Sequence, residues 1–458
     1  MRHFLAAIFG VLCFCAPALS QEKADTIVYD LKVRIEPAQG SISVSGTIGI
    51  PAANRTPEGF TFALHETFVI RKLLICGNEV KYSVVPKEPV PVQPASHEVN
   101  VMLPAQTSSG GVHMQIEYEG QPKNLPEFGA TADWRHSLDD QINSRMVELA
   151  SYSSWYPQLP FGQPLQAQLE LDVPKNWVSI CSGKRTDRQV RGDREITRWS
   201  SPKDTDIVVL ASPNYKEKSF RQSGVDIQIY YTQMPEQFVQ SEVGQIAGVV
   251  GLFTDRLGRT SFPTGVVKHV YSPKRKGQGK AGFSRPGLIV TSEGLTLEAL
   301  AADPKFSLFQ GIAHEVAHFW WNFGAGQGDW INEAFAEYFS AIAVENLVSA
   351  DQYTAVLADY RKQVKELPPA APSLATVPFA DGQDIFVVRY YKGALMLDQL
   401  RKTLGDHQFF NACREFFQLY TGKSVGTEQF RSFWEAQLGD RRKLVDDLLD
   451  ARGSLPNL

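Results

Sequence analysis

Two histidines four residues apart in this sequence are spaced to bind one metal ion. Residues 307–321 read SLFQGIAHEVAHFWW, so that His314 and His318 enclose Glu315 in a His-Glu-x-x-His pattern. In an α-helix, residues four apart lie on one face about a turn apart, and both imidazoles can then reach the same ion. Glu315 lies beside them, where its carboxylate can accept a proton from an attacking water. The pattern predicts a zinc-dependent hydrolase with Glu315 as a catalytic residue.

A third ligand is needed, because catalytic zinc usually takes three protein ligands. Two histidines on an apolar helix could also be core residues whose hydrogen bonds are satisfied by the protein, and a third ligand would exclude this alternative. Residues 330–338 read WINEAFAEY and place Glu333 and Glu337 four apart on one helical face. The surrounding aromatic residues predict that this helix is buried, and buried carboxylates need partners. Zinc would be the partner of one carboxylate, and the second N–H of a ligating histidine would be the partner of the other.

These two segments resemble the zinc signature of the alanyl aminopeptidase and leukotriene-hydrolase family, a branch of the gluzincins. The resemblance implies that His314, His318 and Glu333 bind zinc. The family usually leaves about eighteen residues between the second histidine and the ligand glutamate, whereas fourteen separate His318 from Glu333. Strict spacing would select Glu337, but loops absorb deletions more readily than helices, and the local Trp-x-Asn-Glu motif favours Glu333. Glu337 and Asn332 are then expected beside the ligands, in contact with them rather than with the metal.

A second segment, residues 389–397 with the sequence RYYKGALML, resembles the Tyr-x-Lys-Gly-Ala motif of the same family. The resemblance implies that Tyr390 donates a hydrogen bond to the oxyanion that forms when a carbonyl is attacked, with Tyr391 as the alternative one residue away. A phenolic O–H beside a metal is suited to this role.

Substrate recognition departs from the family pattern. Residues 146–174 resemble a family segment that implies a contact between Glu148 and the free amine of the substrate. The family's Gly-Ala-Met-Glu-Asn motif, whose Glu also binds the amine, is missing, and residues 282–290 read GFSRPGLIV. Arg285 in that segment would repel an amine and could bind a carboxylate instead. With Lys274, Arg275, Lys276 and Lys280 nearby, the rim of the site is expected to be basic, unless this is only a solvated loop.

The resemblance therefore implies hydrolysis of peptide bonds in a peptide or protein substrate, with one zinc ion per chain, by an enzyme of the aminopeptidase family. An endopeptidase or oligopeptidase that ignores the N-terminus is the alternative, because the amine-binding carboxylate is missing. A hypothesis of another class is a non-catalytic scaffold that binds peptides by strand addition.

The fold that must position these residues is predicted as α+β. Residues 21–215 alternate apolar and polar side chains, as in 29–35, 41–50, 111–118 and 165–173, which is typical of antiparallel strands with one exposed face. The Pro-rich stretch 85–97 is interpreted as a loop. Strands at 225–231, 266–271 and 287–291 and a helix at 236–257, ended by Gly258, are predicted in residues 216–458. Beyond Pro304 the chain is predicted to be helical, except for a loop at 367–384. The resemblance implies a saddle-like β domain followed by a thermolysin-like zinc peptidase domain.

Composition and the N-terminus suggest where the protein works. Residues 1–20 combine Arg2 and His3 with a short apolar run and small residues before Gln21, which is typical of a secretory signal peptide. A secreted or periplasmic protein without a membrane anchor is therefore expected. The net charge of -4 gives no indication of a nucleic-acid partner. The cysteines of the mature chain, Cys76, Cys181 and Cys413, allow at most one disulfide. The oligomeric state is not predicted.

Overall fold

The computed structural model describes most of the chain. The described residues are 26–87, 96–104, 110–122, 141–159, 164–260, 265–274, 282–322, 328–380 and 382–455. The predicted signal peptide at 1–20 lies outside these residues, and so do Arg275, Lys276 and Lys280 of the predicted basic rim. Within the described residues, strands dominate the first half and helices the second, which confirms the predicted α+β class.

An eight-stranded sheet is the framework of the first half. Its strands are β1 (Ile27–Glu36), β2 (Ser41–Ile50), β4 (Val69–Ile75), β5 (Asn78–Glu79), β8 (Val112–Gly120), β11 (Leu165–Pro174), β13 (Lys184–Arg191) and β14 (Arg194–Asp204). They lie in the order β13-β14-β11-β1-β2-β8-β4-β5, and β1 and β11 are the one parallel pair among these described strands. In β1, buried Tyr29, Leu31 and Val33 alternate with more exposed neighbours, so one face packs on the core and the other meets solvent. The four strands predicted from this alternation are confirmed.

Two smaller sheets pack in the same half. One contains β3 (Gly59–His65), β6 (Tyr82–Lys87) and β7 (Ser96–Met102), and the other contains β9 (Gln141–Ile142), β10 (Val147–Leu149), β12 (Val178–Cys181) and β15 (Val209–Ser212). The predicted loop at 85–97 is wrong at both ends, because β6 extends through Lys87 and β7 begins at Ser96. Pro86 is tolerated since β6 is the edge strand of its sheet, where a missing N–H costs no ladder hydrogen bond.

A five-stranded sheet begins at Lys216, where the sequence analysis places the boundary between two domains. It contains β16 (Lys216–Gln222), β17 (Val225–Tyr231), β18 (Val266–Ser272), β19 (Gly282–Arg285) and β20 (Leu288–Ser292), in the order β16-β17-β18-β20-β19. The central strands β17, β18 and β20 are parallel, and β18 is buried along its whole length, as expected of a parallel strand covered on both faces. The strand β19 pairs antiparallel to β20 and forms one edge of this sheet.

Helices form the rest of the second half. They are α1 (Glu236–Leu257), α2 (Glu293–Ala302), α3 (Phe309–Ala317), α4 (Asp329–Leu347), α5 (Ala350–Lys365), α6 (Gln383–Val387), α7 (Gly393–Leu404), α8 (Asp406–Tyr420), α9 (Thr427–Leu438) and α10 (Lys443–Leu449). The bounds of α1 confirm the prediction, and Gly258 ends it with a φ of 83°, which a glycine adopts without strain. A π-helix, Val388–Lys392, joins α6 to α7. The predicted loop at 367–384 is confirmed except that α6 begins at Gln383.

Two predictions about the whole chain can be compared with the described residues. No disulfide forms among them, and Cys181 and Cys413 are buried thiols. None of the helices in the described part of the chain combines the length and the apolar character that crossing a membrane requires.

Candidate active site

The two histidines of the His-Glu-x-x-His pattern lie at the end of α3. The apolar residues Ile312, Ala313 and Val316 are buried and hold this helix against α1 and α4. His314 lies in the last turn and His318 is the C-cap, with the centroids of their rings 4.9 Å apart. The short helix therefore presents both imidazoles in one direction, as the spacing of four residues requires.

The carboxylate of Glu333 meets both imidazoles from α4. Its Oε2 lies 3.4 Å from Nε2 of His314 and 3.5 Å from Nε2 of His318. One donor atom from each of the three residues lies within 4.8 Å of the others. Zinc–ligand bonds of about 2.0–2.2 Å in a tetrahedron separate ligand atoms by about 3.3–3.6 Å. The observed separations between the carboxylate and each histidine fit zinc.

The other ring nitrogen of each histidine already has a partner. Nδ1 of His314 lies 2.8 Å from Oε2 of Glu337, and Nδ1 of His318 lies 3.0 Å from the carbonyl oxygen of Trp321. Such partners fix the tautomer and leave Nε2 free to bind a metal. Glu337 thus lies behind His314, on the side away from the three converging donor atoms, which is the arrangement expected if Glu333 is the ligand.

The electrostatics of the cluster favour a cation. Burial raises the pKa of Glu333, but hydrogen bonds from His314 and His318 outweigh it, and the net pKa is lowered. For His314, burial lowers the pKa, but the carboxylates of Glu333 and Glu337 raise it well above its usual value. A divalent ion bound to the two histidines in their neutral form would take the place of such an imidazole proton and balance the negative charge of these carboxylates.

Glu315 lies next to the edge strand β19. A Cβ built on Gly282 would be 3.3 Å from Oε1 of Glu315 and 2.9 Å from the carbonyl oxygen of Val290. A side chain at this position would clash with the backbone of Val290 and crowd the carboxylate, so a glycine suits this close approach. Among the described residues β19 is the edge strand of its sheet, so Glu315 lies beside a sheet edge.

Tyr390, and not Tyr391, faces the candidate metal site. Its ring is parallel to that of His314, with centroids 5.8 Å apart and planes within 8°. Burial and the nearby charge of Glu333 hold the pKa of Tyr390 well above its usual value, so its hydroxyl stays protonated and can donate a hydrogen bond. Tyr391 instead stacks on Tyr360, with centroids 4.5 Å apart.

Sequence reasoning missed two residues that contact this site. The guanidinium of Arg389 pairs with Asp329 at the start of α4 and reaches within 3.9 Å of Oε1 of Glu333. Its position directly before Tyr390 was the available signal. The other missed residue, Tyr360, donates a hydrogen bond to Glu337 and has no local sequence signal.

Asn332, which was expected beside the ligands, is buried, and its amide nitrogen lies 3.5 Å from Oδ1 of Asp329.

Glu148 is buried and already bound to other residues. Its carboxylate accepts hydrogen bonds from the hydroxyl of Ser272 and from the ammonium of Lys274, both at 2.5 Å. The expectation that Lys274 lies on a solvent-facing rim is wrong, because its side chain is only 4% exposed. The ion pair satisfies both charges, since neither could remain buried alone.

Arg285 is also engaged within the protein. Its Nε lies 2.7 Å from Oδ2 of Asp206, and its guanidinium packs against the rings of Tyr152 and Phe283. The side chain is buried at the junction between β19 and the first half of the chain. The structure therefore does not place Arg285 among the residues that converge on the candidate metal site, and its charge is balanced without a substrate.

Comparisons with known proteins give a family match for part of the chain and structural matches for its fold. Residues 277–451 match the profile of the Peptidase family M1 domain. A solved structure of an M1 zinc metallopeptidase variant from Deinococcus radiodurans superposes with a TM-score of 0.72 at 18% identity, covering 95% of each chain. Leukotriene A4 hydrolase from Saccharomyces cerevisiae superposes with a TM-score of 0.69 at 15% identity, covering 96% of this chain and 70% of the hydrolase. No curated protein sequence matches the chain.

The two solved structures show the fold, and the matched profile covers the segment that carries His314, Glu315, His318, Glu333 and Tyr390. The resemblance inferred from the two sequence motifs is thereby confirmed. Residues 277–451 therefore match the Peptidase family M1 domain, and the chain is similar in fold to the solved M1 zinc metallopeptidases.

Proposed function

We propose that this protein is a zinc peptidase that hydrolyses peptide bonds by activating water. The observation that carries the proposal is the convergence of Nε2 of His314, Nε2 of His318 and Oε2 of Glu333 at separations that fit tetrahedral zinc. Zinc held there would act as a Lewis acid that polarises the scissile carbonyl and makes water more acidic.

The protein's own groups would then move the protons and stabilise charge. Glu315 would accept a proton from the attacking water and pass it to the leaving amine. Tyr390 keeps its proton and can donate a hydrogen bond to the carbonyl oxygen as negative charge develops there. The strand β19 is the edge strand of its sheet and lies beside Glu315, so an extended substrate backbone could pair with its free edge.

The contacts of Glu148 and Arg285 support a peptidase that does not depend on a free N-terminus. An amine-binding site needs a carboxylate that is not already neutralised, but Lys274 and Ser272 occupy the carboxylate of Glu148. At the position of the glutamate in the family's Gly-Ala-Met-Glu-Asn motif this chain has Arg285, which is paired with Asp206. We therefore propose cleavage of peptides with free and with blocked N-termini alike.

A true aminopeptidase is the second candidate. It is favoured by the similar fold of a two-domain M1 zinc metallopeptidase variant that was solved with bound L-tryptophan, a free amino acid. For this chain, such a function requires another carboxylate to bind the amine, or Lys274 to move away from Glu148.

One peptide mixture, presented with free and with acetylated N-termini, tests the choice. The purified protein is incubated with each form, and the products are identified by mass spectrometry. We expect both forms to be cut at the same internal bonds and at rates within about threefold, because an amine that the enzyme does not bind contributes nothing to stabilising the transition state. Removal of single residues from free peptides only would contradict the proposal and establish an aminopeptidase. No cleavage of either form by the zinc-loaded protein would favour the peptide-binding scaffold.

A further inference from the structure

We infer that Tyr360 is a positioning residue for the metal ligand His314 and that it acts through Glu337. The inference rests on the zinc site of the proposed function, but it concerns metal affinity and can be tested without a substrate. Tyr360 lies on α5, which contributes none of the proposed ligands, and it is 3% exposed.

A continuous chain of hydrogen bonds joins Tyr360 to the metal site. Its hydroxyl donates to Oε1 of Glu337, and the other oxygen of the same carboxylate, Oε2, lies 2.8 Å from Nδ1 of His314. The two oxygens of Glu337 are thus held by different partners. A carboxylate held at both ends cannot rotate about its last bond without losing one of them, so the plane of the carboxylate and the direction of the His314 ring are fixed together.

The direction of the hydroxyl proton is also determined. Nε2 of Gln310, one turn before His314 on α3, lies 2.7 Å from the hydroxyl oxygen of Tyr360 and donates to it. Because the Tyr360 oxygen accepts a hydrogen bond from the amide of Gln310, the phenolic O–H points to Glu337. Burial and the charge of Glu337 raise the pKa of Tyr360, which keeps the hydroxyl protonated.

Aromatic packing holds the ring of Tyr360 in place and links it to the segment that carries Tyr390. Tyr391 stacks on Tyr360 with planes within 13°. Phe386 makes an edge contact with Tyr391 at 5.3 Å and stacks on Tyr390 at 4.3 Å. Tyr390 and Tyr391 both lie in the π-helix and make these contacts from adjacent positions, and π-helical turns are frequently found at functional sites.

Two matched variants test the inference. Tyr360→Phe removes the hydroxyl and keeps the ring, and Tyr353→Phe is the control, because Tyr353 lies on the same helix and its hydroxyl also contacts a carboxylate, Asp398, at 3.3 Å. The zinc dissociation constant of each full-length protein is measured by competition with a chelator, together with the unfolding midpoint. We expect Tyr360→Phe to weaken zinc binding by roughly 3- to 30-fold, somewhat below the 10- to 100-fold typical of direct partners of metal ligands. Tyr353→Phe should leave zinc affinity unchanged.

An unchanged zinc affinity in Tyr360→Phe, or an equal loss in both variants, would overturn the inference, since a merely structural hydroxyl would affect the unfolding midpoints alone. If Tyr360→Phe does not fold, Gln310→Met keeps the phenol and removes the donor that orients it. Zinc binding should then weaken by a smaller factor, and an unchanged affinity would again overturn the inference. If the unmodified protein binds zinc tightly but does not cut peptides, the proposed function fails while the role of Tyr360 can still be measured. If it binds no zinc, both fail.

Discussion

Replacing Glu315 by Gln is expected to lower kcat by roughly 10²- to 10⁴-fold, the usual contribution of a general base, while the protein keeps its zinc. The amide has the same shape as the carboxylate but cannot accept the proton of the attacking water. Glu315 is not one of the three residues whose donor atoms converge, so metal binding should persist. Hydrolysis of an internally quenched peptide and zinc content by elemental analysis measure the two effects.

Glu366→Gln is the matched control for this variant, because Glu366 is an exposed carboxylate at the end of α5. It should keep full turnover and full zinc content. Turnover by Glu315→Gln within a few-fold of the unmodified protein would show that another group takes the proton. Loss of zinc from Glu315→Gln would mean that Glu315 is a ligand and that the assignment of the site is wrong.

Glu333→Ala should cost more zinc affinity than Glu337→Ala. Glu333 supplies the oxygen that lies 3.4 and 3.5 Å from the two Nε2 atoms, so its loss removes a metal bond. Glu337 contacts only the far nitrogen of His314, and losing such a partner typically costs about 10- to 100-fold in metal affinity. Zinc dissociation constants of both variants, measured with the same chelator, give the comparison.

The variants Glu333→Ala and Glu337→Ala also decide which of the two glutamates is the third metal ligand, which the sequence spacing left open. Strict family spacing favours Glu337 as the ligand and the local motif favours Glu333. A larger loss of zinc in Glu337→Ala than in Glu333→Ala would contradict the geometry described here. A similar loss in both would mean that the carboxylates share the metal.

Local periodicity was sufficient to predict the elements that position the site. Strands with one exposed face, such as β1, and the amphipathic helix α1 follow from side-chain spacing that each segment carries within itself. The prediction that His314 and His318 share one face also depends on local spacing alone, because helix geometry determines which residues lie on the same face. The strand β6 was missed because Pro86 normally indicates a loop, and its position at a sheet edge is a property of the tertiary fold.

Contacts between distant segments could not be predicted in the same way. The partners of Glu148 and Arg285 are Lys274 and Asp206, which lie 126 and 79 residues away in the sequence. Each charge was therefore interpreted as available to a substrate, whereas the fold neutralises both. Tyr360 was missed for the same reason, since its contact with Glu337 joins two different helices. Motifs identified the chemistry of the site, but the charges left for a substrate depend on tertiary pairing.

Removal and restoration of zinc is the most direct test of the central claim that this chain is a zinc peptidase. The full-length protein is freed of metal with a chelator, and peptide cleavage is followed before removal, after removal and after addition of one equivalent of zinc. We predict one tightly bound zinc per chain, loss of cleavage in the metal-free protein and recovery when zinc is added. Cleavage that continues in the metal-free protein, or no cleavage by the fully zinc-loaded protein, would contradict the account.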